Sequence, residues 1–380
     1  MARKIDKSYL GVNFFGPVNQ NSGYGNAVRN FSKAFSISGI NTSYSFYKDS
    51  LQKRKMFKKE LKNYNGKCNV DFYLHCPGYV KYLNSNYKIG YFYWETDSFP
   101  PSWNRSIRML DEIWAPCELV KNSCIKAGFS GPIEIVPTPI QSWSCNKQIA
   151  IPSANTNTHV ISNKVFKFYS IFQWHYRKGF DVLLKSYLNS FSSKDNVILI
   201  LKCNPLGVGD SDINEIRRDI IKIKSSIDRD DLPLIYLITN YVDQEDIFAL
   251  HNYANCFVLP HRGEGWGIPI HDALYAGNNV ITTKYGGITE QLSKSNAHII
   301  SHKKTPVKNM EWCSFYNQRQ NWAEPSVSHL SELMVDMYRN YNKYSKQRKR
   351  ATQLASTMDI ESVSKIIHNI FVSRGFKIEK

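Results

Sequence analysis

Apolar and polar positions along the chain follow two alternating rhythms. Runs of strand length, dominated by apolar residues, fall at 10–15, 70–76, 89–94, 112–115 and 133–136, and again at 165–172, 197–202, 234–239, 256–260 and 279–282. Between them lie segments with helical spacing. Val28, Phe31 and Phe35 share one face, and so do Phe180, Leu183, Leu184, Tyr187, Leu188 and Phe191. Pro100-Pro101 marks a further helix start, because proline suits the first helical turn. Strand and helix in alternation predict α/β architecture with parallel sheets. The last stretch, from about residue 326, reads as helical throughout.

The rhythm breaks once. Ile151-Pro152-Ser153-Ala154-Asn155-Thr156-Asn157-Thr158 is polar and turn-rich, and predicts an interdomain linker over 151–164. The expected domains are 1–150 and 165–362, and 380 residues suit two units of about 150 each. Two doubly wound domains would face a cleft, with ligands at the carboxyl ends of the strands.

Most of the candidate chemistry follows a strand end. The densest segment is Pro260-His261-Arg262-Gly263-Glu264-Gly265-Trp266-Gly267-Ile268-Pro269-Ile270-His271-Asp272-Ala273-Leu274. Gly265 and Gly267 let backbone amides approach a ligand. A helix starting near Gly267 would offer its N-terminus to phosphate or to a sugar oxygen. Glu264 and Asp272 lie eight positions apart and can face one cleft, where carboxylates accept from sugar hydroxyls. Taken alone, the segment can also be read as a glycine turn with two surface acids, the less favoured reading.

In full, it resembles the E-x7-E signature of the retaining GT-B glycosyltransferases of family 4. That resemblance implies a GT-B fold, with two Rossmann-like domains facing a central cleft. It implies transfer of a hexose from a UDP- or GDP-sugar with retention, with no metal and no further cofactor. Glu264, Gly265, Trp266 and Gly267 would hold the sugar, and Asp272 the ribose. Asp272 is one methylene shorter than the usual Glu. Fold analogy also implies a C-terminal helix, from Val363 on, that crosses back to the first domain.

Other segments carry the resemblance across most of the chain. Arg177-Lys178-Gly179-Phe180-Asp181-Val182-Leu183-Leu184 is similar to the family's diphosphate-binding segment, which assigns Lys178, then Arg177, to the leaving group. The family's further arginine at the strand end is missing, and Phe172 stands there instead. Gly23 and Gly25, after Asn21-Ser22, resemble the N-terminal glycine loop; an ordinary turn is the alternative. Tyr93-Trp94-Glu95-Thr96-Asp97-Ser98-Phe99-Pro100 replaces a loop where relatives carry His. Glu95 or Asp97 would sit near the anomeric carbon, whereas Asp97 or Ser98 can equally cap the helix at Pro100-Pro101. His75 is a second cleft candidate or a structural histidine. Gly286-Gly287-Ile288-Thr289-Glu290 matches a loop near the donor, with Glu290 a donor contact or a surface acid. Trp322-Ala323-Glu324-Pro325 also looks like the family.

Charge widens the choice of acceptor. The net charge of +17 favours a polyanionic partner without choosing one. Basic residues concentrate at Lys53, Arg54, Lys55, Lys58, Lys59 and Lys62, and again at Arg339, Lys343, Lys346, Arg348, Lys349 and Arg350. The 53–62 stretch carries Met56, Phe57 and Leu61 at helical spacing, and reads either as a solvated face or as a helix on an anionic membrane. A glycan or lipid-linked acceptor fits; nucleic acid fits less well. The N-terminus lacks an apolar signal segment, and the eight cysteines show no metal or disulfide spacing, so a cytoplasmic enzyme, peripheral to membrane at most, is expected. Asp210-Ser211-Asp212 reads as a turn and helix cap rather than a metal site. The competing functions are a degenerate sugar-nucleotide binder or partner subunit, and an enzyme acting on nucleic acid.

Overall fold

The computed structural model describes residues 6–17, 23–45, 66–77, 86–147, 164–205, 210–240 and 242–378. The basic stretch 53–62, Asn21-Ser22 and the linker 151–163 lie outside the described residues.

The first half contains β1 (Gly11–Phe15), α1 (Gly23–Ile37), β2 (Asn41–Ser45), β3 (Val70–Leu74), β4 (Tyr87–Tyr91), α2 (Asn104–Arg108), β5 (Glu112–Ala115), α3 (Glu118–Lys126) and β6 (Ile133–Ile135). Its six strands pair in parallel in the order β2-β1-β3-β4-β5-β6. The second half contains β7 (Phe166–Gln173), α4 (Phe180–Ser190), β8 (Val197–Asn204), α5 (Asp210–Ser225), β9 (Leu234–Ile238), α6 (Gln244–Tyr253), β10 (Cys256–Leu259), α7 (Ile268–Tyr275), β11 (Asn279–Thr283) and β12 (His298–Ile300). These strands are also all parallel, in the order β12-β11-β10-β7-β8-β9. Both halves are therefore doubly wound α/β units, as the alternating pattern predicts.

The chain continues with an antiparallel pair, β13 (His302–Pro306) and β14 (Asn321–Pro325), then α8 (Val327–Asn340), α9 (Ser345–Ser356) and α10 (Ile360–Ser373). The last helix returns to the first sheet. Phe371 packs on Phe35 and Trp114, Ser38 Oγ donates to the Ser364 carbonyl, and Arg374 pairs with Glu112 and Glu134.

The elements form where apolar faces find partners. β3 is buried along its whole length and β8 at all but its last residue, which is why apolar residues dominate both, with Asp71 and Lys202 as buried exceptions. Phe31 and Phe35 of α1 pack on Phe72 of β3. The short polar strands were not legible: β2 reads Asn-Thr-Ser-Tyr-Ser, and β13 is largely exposed with two lysines. The strand expected at 89–94 ends at Tyr91, which moves Tyr93 and Trp94 into the loop at its carboxyl end. Residues 210–212, expected as a turn ahead of a helix, are the first turn of α5.

Candidate functional site

Most of the candidate residues lie on loops at the carboxyl ends of parallel strands, at 75 after β3, 93–97 after β4, 174–179 after β7, 260–267 after β10 and 284–290 after β11, while Asp272 lies in α7 and Gly23 and Gly25 open α1. The loop after β10 turns sharply. Gly267 adopts φ 91°, a left-handed conformation that suits glycine, and Pro269 sits in the first turn of α7.

The first domain presses on this loop. A Cβ at Gly263 would come within 2.2 Å of the Glu95 carbonyl oxygen, and one at Gly265 within 2.7 Å of Tyr93 Cβ. Glycine here admits close backbone approach, and the neighbour is the loop after β4. Gly286 and Gly287 fold over the other side, with the Ile288 amide donating to the Trp266 carbonyl at 3.0 Å.

Four charged side chains meet between the loops. Lys178 Nζ donates to Glu264 Oε2. Arg177 Nη1 lies 3.3 Å from Glu95 Oε1 and donates to the Gly263 carbonyl at 2.6 Å. All four are largely buried. Burial alone would raise the Glu264 carboxyl, but Lys178 and Arg177 hold it below the ordinary range. Burial lowers Lys178 despite the Glu264 charge beside it. Arg177 therefore stands beside Lys178 as a second cation. The Phe172 position carries none: its ring stacks on Trp174 at 5.7 Å.

Several polar groups of the second half lack hydrogen-bond partners. Among the described residues, the amides of Gly265, Trp266 and Gly267 donate no hydrogen bond, and the Asp272 carboxylate accepts none. The His271 ring nitrogen Nδ1 lies 3.9 Å from it. Neither ring nitrogen of fully buried His261 has a partner, and burial pushes this imidazole down to about 3. His175 Nδ1 is likewise unpartnered; burial and then the Arg177 and Lys178 charges hold it well below the usual histidine range.

Other sequence candidates are placed as follows. Gly23 opens α1 with free space beside it, and Tyr24 packs edge-on to Tyr93 at 5.1 Å. His75 lies against Tyr24, its ring 6.2 Å away. Glu290 is turned toward the first domain, where its carboxylate accepts from the Glu118 and Leu119 amides at 2.9 and 3.2 Å. Asp97 does not cap the helix start, where Pro100 is the cap residue with no side-chain bond. It accepts instead from the Asn321 amide and side chain at 2.8 and 3.1 Å and pairs with Lys304 at 2.7 Å. Ser98 offers its carbonyl to Trp94 Nε1 and Thr96 Oγ1.

Sequence reasoning missed Arg262. Its guanidinium is almost wholly buried, binds Asp181 through two bonds of 2.8 and 2.9 Å and Glu324 through two of 3.0 and 2.6 Å, and donates to the Tyr176 carbonyl. It also lies 3.5 Å over the Tyr176 ring. Burial opposes the charge, but the two carboxylates hold the pKa above its ordinary value. This fork ties the loop after β10 to α4 and β14.

Residues 222–308 match the model of the family described as glycosyl transferases group 1, a span that includes Glu264, Asp272 and Glu290. HepE from Anabaena, solved with UDP and glucose, superposes with a TM-score of 0.69 at 12% identity, over 96% of this chain and 100% of that one. The chain has the GT-B fold. Sucrose-phosphate synthase from Thermosynechococcus elongatus gives 0.66 at 10% identity over 96% and 99% of the two chains. An E. coli structure described as trehalose-6-phosphate bound with UDP-2-fluoro glucose gives 0.64 at 10% identity over 95% and 98%. No curated protein matches the chain by sequence. Among the described residues of this GT-B chain, no helix is long and apolar enough to cross a membrane, and no group of three His, Cys, Asp or Glu is placed to hold a metal.

Proposed function

We propose that the chain is a glycosyltransferase that moves a hexose from a nucleotide-sugar to an acceptor hydroxyl with retention of anomeric configuration. One observation carries the reading. The unpaired amides of Gly265, Trp266 and Gly267 directly follow Glu264, whose carboxylate meets Lys178 at the carboxyl end of the second sheet. An ammonium touching a carboxylate matches a donor in which diphosphate adjoins sugar.

In this reading Glu264 accepts from the sugar hydroxyls, and the three amides hold its oxygens. Asp272 accepts from the ribose hydroxyls. Lys178 and Arg177 face the diphosphate and stabilise the charge it gains as the bond to the anomeric carbon breaks, so no metal is required. Glu95, held beside Arg177 at 3.3 Å, lies where a carboxylate can favour an oxocarbenium-like state. The leaving phosphate oxygen takes the proton of the acceptor hydroxyl. The new glycosidic bond forms on the face that the diphosphate leaves. The UDP and UDP-sugar ligands of HepE and of the E. coli structure favour UDP over GDP as the nucleotide. The acceptor is a glycan or a lipid-linked sugar, which a cytoplasmic enzyme of this charge would meet free or at an anionic membrane surface.

The test is binding and slow hydrolysis across UDP-, GDP- and ADP-hexoses, with wild type beside Glu264→Ala and Asp272→Asn. Selective turnover lost in Glu264→Ala, with weaker nucleotide binding in Asp272→Asn, supports the assignment. A folded protein that binds no donor overturns it.

A further inference from the structure

Both oxygens of the Glu95 carboxylate are held by the opposite domain. Arg177 lies 3.3 Å from Oε1, and the Tyr316 hydroxyl donates to Oε2 at 2.7 Å. The two partners differ in what they are free to do. Arg177 is one of two cations beside the expected diphosphate, so donor binding draws its charge away from Glu95. Tyr316 carries no such second duty.

Tyr316 stands in the loop between β13 and β14, an arm outside the main sheet of the second half. The arm packs on the second half through Val307, Met310 and Trp322, while residues 315–321 dock on the first domain. The Tyr316 ring stacks on Trp94 at 4.9 Å, and Phe315 meets Trp103 edge-on at 5.1 Å. Gln320 Nε2 donates to the Ser98 carbonyl at 3.3 Å. At the arm's base the Asp97 amide donates to the Asn321 carbonyl at 3.1 Å, and the Asp97 carboxylate accepts from Asn321 and Lys304. The contacts run continuously from Trp94 to Trp103, and Glu95 is inside that stretch.

We propose that Tyr316 is a positioning residue for Glu95: the arm docks its ring on Trp94 so that its hydroxyl fixes the carboxylate once the donor engages Arg177. The inference rests on the function proposed above. A glutamate side chain has three rotatable bonds, and a charge aimed at a developing cation is effective only when held in place. A hydrogen bond to an ionised group is of the strong kind, and the stacked ring restricts the hydroxyl before the reaction begins.

The experiment uses the full chain and hydrolysis of whichever nucleotide-sugar the donor panel selects. Tyr316→Phe keeps the ring on Trp94 and removes only the hydroxyl. Its kcat is expected to fall about 10- to 100-fold, the range for losing a hydrogen bond to a charged group. Its KM for the donor should stay near wild type and its melting temperature should fall by only a few degrees, so the loss in kcat far exceeds what the stability loss alone would give. Glu95→Gln combined with Tyr316→Phe should be no slower than Glu95→Gln alone, because both act through one carboxylate. Tyr316→Phe at full kcat, or losses that multiply in the double variant, overturn the assignment while leaving the enzyme function intact. A wild type that hydrolyses no donor overturns both.

Discussion

Two buried ionic groups lie within a few residues of each other on the loop after β10, and they are built differently. Arg262 is saturated: two carboxylates and a carbonyl take its donors, and an aromatic ring covers its face. The Lys178–Glu264 pair is followed along the same loop by three amides with no partner among the described residues. A saturated ion group fixes backbone and offers nothing to a ligand. An ion pair amid unspent hydrogen-bonding capacity can trade its partner for one. The contrast separates scaffold from site where charge and burial alone do not.

The largest effect is expected at the scaffold. Arg262→Ala removes the cation that both the Asp181 and Glu324 carboxylates bind, leaving only Lys308, 3.8 Å from Glu324, at a cost of about 3–5 kcal/mol. Urea denaturation measures it. A loss under about 1 kcal/mol would show that the fork does not hold the loop.

At the site the order of effects reverses. Lys178→Ala should lower donor turnover about 10²-fold, the scale of a lost charge-stabilising donor. It also leaves Glu264 buried without its cation, so some stability goes with it. Lys178→Met combined with Glu264→Gln separates the two effects: with neither charge left, stability should recover toward wild type while turnover stays lost. Recovery of turnover in that pair would move the pair from the site to the scaffold.

Much of this was legible in the sequence, and the boundary has a physical cause. The glycines and proline around Glu264 are local conformational signals, and Lys178 follows a recognisable strand, so both loops could be placed before any contact was known. The alternating apolar runs likewise gave two doubly wound halves. Arg262 was invisible because its partners, Asp181 and Glu324, are 81 and 62 positions away and nothing local marks the meeting. The β13–β14 arm escaped because its first strand is short and largely exposed, with no apolar alternation. Asp97 precedes a proline helix start, so a cap and a cleft carboxylate read equally from local sequence; its partners are on the arm.

The buried histidines sharpen the comparison through pH. Burial pushes His261 to about 3, and burial with His271 pushes His251 to about 4, although Asp272 pulls the latter back up. Above about pH 6.5 these histidines are neutral in folded and unfolded chains alike. Below it the unfolded chain takes up protons that the folded chain refuses, so stability falls as pH drops from about 6.5 toward the folded values. Each such histidine contributes a slope of about 1.4 kcal/mol per pH unit in that window. His261→Gln should flatten the slope between about pH 6 and 4. An unchanged slope would mean that His261 titrates normally.

The smallest effect is expected at Glu290, and it tests whether the loop after β11 belongs to scaffold or site. Helix α3 begins at Glu118 behind Cys117, which makes no side-chain cap bond. Glu290, from the other half of the chain, accepts from the Glu118 and Leu119 amides, so it caps that helix across the domain boundary. A carboxylate at a helix N-terminus contributes about 1 kcal/mol. Glu290→Ala should lose about that much, and Glu290→Gln less, because its amide oxygen can still accept. Donor KM decides the assignment. If Glu290 only caps α3, KM stays within about twofold in both variants, since a cap of this size acts on folding rather than on the ligand. If its carboxylate leaves α3 for the donor when the site is filled, KM rises in Glu290→Gln although the cap is largely kept. Glu290 would then be held in place, like Lys178, by a bond that the ligand replaces.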